Sequence, residues 1–107
     1  MRLRRKTPLD ELAERQLQLF AEDEADLLRE AREAEEAWNR AGRDTAEEAY
    51  GDYQLVVDAI ADRLLDVREA YASTLDAAPA DEYRRAFAAA AARRFRRYAS
   101  LVADLDP

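Results

Sequence analysis

The sequence predicts an all-α protein, an up-down-up antiparallel three-helix bundle with long first and second helices, and three observations carry that expectation. Apolar residues recur three and four apart through most of the chain. Two short stretches of capping and helix-breaking residues interrupt them. No run alternates apolar and polar residues as a half-buried strand would. The seam reads Leu17, Phe20, Glu24, Leu27, Ala31, Ala34, Trp38 and Ala41 in the first half, then Tyr50, Tyr53, Val57, Ile60, Leu64, Val67 and Tyr71. That coiled-coil-like spacing stacks side chains on one helical face.

The chain opens with a basic arm, residues 1–7, and the remainder, 8–107, reads as a single three-helix domain with helices at about 8–41, 45–77 and 79–105. Thr7, Pro8 and Asp10 supply a capping hydroxyl, a proline at the first helical position and a returning carboxylate, so the first helix should start there. It should end at Gly42, which lacks a Cβ and accommodates the left-handed terminal conformation. Asp44-Thr45-Ala46-Glu47-Glu48 contains two overlapping capping boxes for the second helix. Pro79 should end that helix and open the third, with Asp81 and Glu82 at its positive end. Gly51 lies inside the second helix and suggests close approach of another backbone.

A chain of 107 residues suffices for one modest core. The net charge of −7 is unevenly placed: residues 1–8 carry +4, 9–41 carry −7, 42–78 carry −6 and 79–107 carry +2. Acidic first and second helices beside a basic third one predict complementarity between helices. The longest apolar run, Ala86 to Ala92, falls far short of the roughly 20 residues needed to span a bilayer. The start Met1-Arg2-Leu3-Arg4-Arg5-Lys6 is followed by Thr7-Pro8-Leu9-Asp10 rather than an apolar stretch, so it does not read as a signal peptide. With no cysteine for disulfides, the chain is expected to be cytoplasmic.

Histidine and cysteine are both absent, which removes the usual bases, nucleophiles and soft metal ligands. Ser73 and Ser100 lie in no glycine-rich elbow, and two glycines build no phosphate loop. The chain is therefore read as non-enzymatic, without cofactor, metal ion or small-molecule substrate. The carboxylates of Glu30 and Glu33, and of Asp58, Asp62 and Asp66, read as solvated acidic stripes.

Two departures from the seam stand out. Glu24 occupies a central position, and counting from the second turn brings Arg94 level with it, so the two are expected to form a buried ion pair. Second, the first two helices should project past the third by roughly 10 Å, at 1.5 Å rise per residue. Trp38, Tyr50, Tyr53, Leu55 and Val56 lie in or beside that projection and form the expected partner-binding surface. The function expected on this basis is protein–protein interaction, as an adaptor or a homodimer pairing through the hairpin end. The alternative is a small nucleic-acid-associated regulator using Arg2, Arg4, Arg5 and Lys6 of the arm with Arg93 and Arg97 of the third helix.

Overall fold

The computed structural model describes residues 5–98 and residue 105, and among them the fold is all-α with four helices. These are α1 (Pro8–Asp23), α2 (Ala25–Arg40), α3 (Ala46–Ala72) and α4 (Ala77–Arg94). The expected long first helix is thus two helices, broken at Glu24, and the three-helix bundle is corrected accordingly. Expected contributions from residues 99–104 lie outside the described residues.

The start of α1 follows its sequence signal. Thr7 Oγ1 accepts from the Asp10 N–H at 3.2 Å, and the Thr7 N–H donates to Asp10 Oδ2 at 2.9 Å. This reciprocal capping box satisfies donors that a helix N-terminus otherwise leaves orphaned. The other ends were read less well. Ala41, with extended backbone (φ −65°, ψ 138°), terminates α2, and neither glycine adopts a positive φ, so no left-handed glycine cap forms at Gly42. Neither capping box forms at α3: Thr45 makes no side-chain cap and its hydroxyl donates to the Gly42 carbonyl at 3.5 Å. Helix α4 starts at Ala77 with Asp76 before it, so Pro79 sits inside the first turn, where a missing N–H is harmless.

Packing explains the break at Glu24. Helices α2 and α3 form one long antiparallel hairpin, whereas α1 packs chiefly on α4. Gln16 of α1 meets Tyr83 of α4, and Phe20 meets Phe95 just past its end. Glu24 takes φ −107°, ψ 30°, yet its N–H still donates to the Phe20 carbonyl at 2.8 Å and its carbonyl accepts from Leu28 at 3.0 Å. A single residue absorbs the change of direction, without the glycine or proline that usually marks a kink.

The core is one cluster. Ala13, Leu17 and Phe20 of α1 meet the alanine-rich face of α4 at Ala86, Phe87, Ala90 and Ala91, and Val57, Ile60 and Leu64 of α3 complete it. Large residues against small ones let helices approach closely. Tyr83 is fully buried, its hydroxyl donating to Gln16 Oε1, and burial pushes the phenol up to about 12. At the rim, Arg84 of α4 donates through Nε and Nη2 to both oxygens of Glu69 on α3, each at 3.0 Å, the two-pronged geometry guanidinium favours. Complementarity between a basic α4 and an acidic α3 takes this form. No helix among the described residues is long and apolar enough to cross a membrane.

Gly51 is exposed inside α3, and a Cβ built there meets nothing within 4 Å, so no backbone approaches it and the sequence expectation is corrected. Gly51→Ala should therefore stabilise the fold by about 0.5–1 kcal/mol in urea denaturation, because alanine loses less backbone entropy on folding.

The hydrogen bonds from Arg84 hold the Glu69 carboxyl at about 2, below its ordinary 4.5. The unfolded chain takes up this proton first, so the pairing contributes stability above about pH 4.5, and that contribution is lost as pH falls from 4.5 towards 2. Glu69→Gln should lower stability at neutral pH and flatten the fall in melting temperature across that window. A variant whose melting temperature tracks the parent's at every pH would show that the pair contributes nothing.

Candidate interaction surface

The residues expected to bind a partner sit on the α2–α3 hairpin, but they do not share one face. Trp38 of α2 packs edge-on against Tyr50 of α3, ring centroids 4.8 Å apart, and stacks on Tyr53 at 5.4 Å with the planes 26° apart. Leu55 follows Tyr53 by two residues, about 200° further round the helix at 3.6 residues per turn, and so points to the opposite side. It is 71% exposed, against 7% for Tyr53. Val56 lies between these directions and is half-buried. A single five-residue patch is thus corrected to an aromatic cluster on one flank of the hairpin, a lone leucine on its back and a valine on the other flank.

The aromatic flank is partly covered by a segment read from the sequence as continuing helix. Helix α4 ends at Arg94, and the Phe95 N–H still donates to the Ala91 carbonyl at 2.8 Å. The chain then turns, with the Tyr98 N–H donating to the Phe95 carbonyl at 2.9 Å. Both side chains are buried: Phe95 meets Phe20 edge-on at 6.3 Å, and Tyr98 lies 6.3 Å from Tyr53. Arg97 then ion-pairs with Glu35 of α2. Burial raises the phenols of Tyr53 and Tyr98 above their ordinary value, so both stay neutral and keep an O–H donor. The hairpin therefore does not project bare. Trp38 and Tyr50 remain 37% and 45% exposed at the edge of this cover.

On the other flank the groove between α2 and α3 is open. It encloses about 340 Å³, floored by Ala34, Ala37, Ala49 and Val56 and rimmed by Glu30, Glu33 and Asp52. This groove was not foreseen, although its signal is in the sequence: positions 30, 33, 34 and 37 share one stripe of α2, and 49, 52 and 56 one stripe of α3.

The expected ion pair is also re-partnered. Glu24 bonds Arg63 of α3 and not Arg94. Arg94 instead lines a groove with Glu14, Leu17, Ala90 and Arg93, away from Glu24. Counting from the α2–α3 turn brings Glu24 level with Arg63. Nor is the pair buried, since the side chains of Glu24 and Arg63 are 25% and 54% exposed. Among the residues of the alternative nucleic-acid reading, Arg93 and Arg94 are exposed beside Glu14, Lys6 Nζ pairs with Glu14 Oε1 at 3.0 Å, and Arg97 is held by Glu35. Arg5 is exposed, and Arg2 and Arg4 lie outside the described residues. Among the described residues no carboxylates converge in a group able to hold a metal ion.

A water-exposed pair contributes far less than a buried one. Glu24→Ala should therefore cost no more than about 1 kcal/mol, where stranding a buried charge would cost about 3–5 kcal/mol. A loss in the larger range on chemical denaturation would show that Glu24 holds the helix break itself. Comparison with known protein families, with curated proteins and with solved structures finds no match for this chain.

Proposed function

We propose that this chain is a protein-interaction module that works through its α2–α3 hairpin and, without another partner, pairs with a second copy through the Trp38–Tyr50 edge. One observation carries the reading. Of the large apolar side chains that stand exposed among the described residues, Leu19, Trp38, Tyr50 and Leu55, all but Leu19 belong to this hairpin. Tryptophan and tyrosine are efficient anchors because they bring large area with few rotatable bonds. Tyr53, stacked beneath Trp38 and held by Tyr98, keeps the exposed rings from turning inward. A binding role asks for no base, nucleophile or cofactor, which suits a chain without histidine or cysteine. Nucleic-acid binding draws less support, because Lys6 and Arg97 are already paired with carboxylates.

Light scattering after size exclusion should report a mass near twice 12.2 kDa. Tyr50→Glu should return the protein to a monomer with unchanged helical circular dichroism, while Leu55→Glu, on the opposite face, should leave the dimer intact. A wild-type chain that stays monomeric at high micromolar concentration, with Trp38 emitting as a buried indole, would defeat self-association through this edge.

A further inference from the structure

The two flanks of the α2–α3 hairpin differ in a way that the dimer proposal does not use. One is partly covered by Tyr98 and the Arg97–Glu35 pair, and the other is the open groove over Ala34, Ala37, Ala49 and Val56. We infer that this open groove docks a basic amphipathic helix of a partner protein. The inference rests on the hairpin being the interaction element, but not on self-association.

The floor presents only methyl and isopropyl groups, so a helix axis can approach to the short end of the usual 8–10 Å range. Between Glu30 and Ala37 the groove runs about 10 Å, enough for two turns of an incoming helix at 1.5 Å per residue. Its rim is wholly acidic: Glu30 and Glu33 on the α2 side, Asp52 on the α3 side. Arg29 partly neutralises Glu33, with Nε 3.8 Å from Oε1, whereas Glu30 and Asp52 make no ion pair among the described residues. An apolar floor between two acidic edges is complementary to a helix with an apolar stripe flanked on both sides by lysine or arginine.

Charge also decides against the other occupants. A second copy seated groove to groove by a two-fold axis would set Glu30, Glu33 and Asp52 against their own counterparts. Nucleic acid would meet the same carboxylates with phosphates. The field beyond the rim has the same sign, since α3 carries five more acidic than basic residues, and it steers a cationic partner towards this side.

The test is titration of the full chain into a fluorescein-labelled synthetic leucine–lysine amphipathic helix of about three turns, followed by anisotropy at low and high salt. A peptide of identical composition with scrambled periodicity serves as the control. The periodic peptide should bind at least about tenfold more tightly than the scrambled one, the apolar face contributing the difference. Ala37→Arg, and Glu30→Gln with Asp52→Asn, should each weaken it about tenfold or more. Asp62→Asn with Asp66→Asn, which removes equal charge elsewhere on α3, should change it less than about twofold. Each variant is checked for unchanged helical circular dichroism. Tyr50→Glu should leave peptide binding intact. A monomeric wild type that still binds in this groove-dependent way would overturn self-association and uphold the groove. Equal binding of the scrambled peptide, or equal loss in the Asp62/Asp66 variant, would reduce the effect to general charge attraction and overturn the groove. So would a fall in oligomeric mass on Ala37→Arg, which would make a second copy the occupant.

Discussion

The seating of α1 on the alanine-lined face of α4 is the interaction on which the rest of this fold depends. Leu17 and Phe20 reach that face only if α1 leaves the line of α2, and the departure occurs at Glu24, one turn beyond Phe20. Phe20 then takes Phe95 as its edge-on partner, at the point where α4 stops. With the helix ended there, Tyr98 and Arg97 turn onto the hairpin and meet Tyr53 and Glu35. One apolar contact thus sets a helix break, a helix end and the cover over one flank of α2 and α3.

The molecule accordingly consists of two helix pairs joined at a small number of places. The α1–α4 pair is rich in alanine, while the α2–α3 pair is antiparallel and acidic. They are tied by the apolar cluster, by Arg84 on Glu69, and by Glu24 on Arg63. The charged ties are partly solvent-exposed, so burial supplies most of the stability and the ion pairs serve mainly to orient. Apolar surface is left uncovered where the α1–α4 pair does not reach, at the far end of the hairpin and along its outer flank. The exposed rings of Trp38 and Tyr50 and the alanine-floored groove both belong there.

Much of this was legible in the residues. Of the seam positions, Leu17, Phe20, Ala31, Tyr53, Val57, Ile60 and Leu64 are buried, because a repeat of three and four is satisfied by one helical face, whereas Leu27, Ala34, Val67 and Tyr71 are half-buried and Trp38 and Tyr50 exposed. The Thr7–Asp10 capping box formed as read, since it depends on four consecutive residues alone. The aromatic cluster was legible for the same reason: Trp38, Tyr50 and Tyr53 flank a short turn, and a hairpin must bring them together. Leu55 was read as added apolar surface on the outward side of the same helix, and it stands exposed there, away from the aromatic cluster.

What the sequence by itself determined, then, were the quantities set by local chemistry: helical class, the core-facing stripe of each helix, the first cap, the place of the hairpin turn, and the lack of histidine and cysteine chemistry. The tertiary structure alone decided where helices break or stop when no glycine or proline marks the place. At Glu24 and Phe95 the backbone propensity for helix is countered by side-chain burial between elements distant in the chain, and burial is the larger effect. It also decided the partner of Glu24: counting from successive turns offers both Arg63 and Arg94, and the packed helices bring Glu24 to Arg63. Register between non-adjacent helices is a property of packed surfaces, and no spacing within a single helix encodes it.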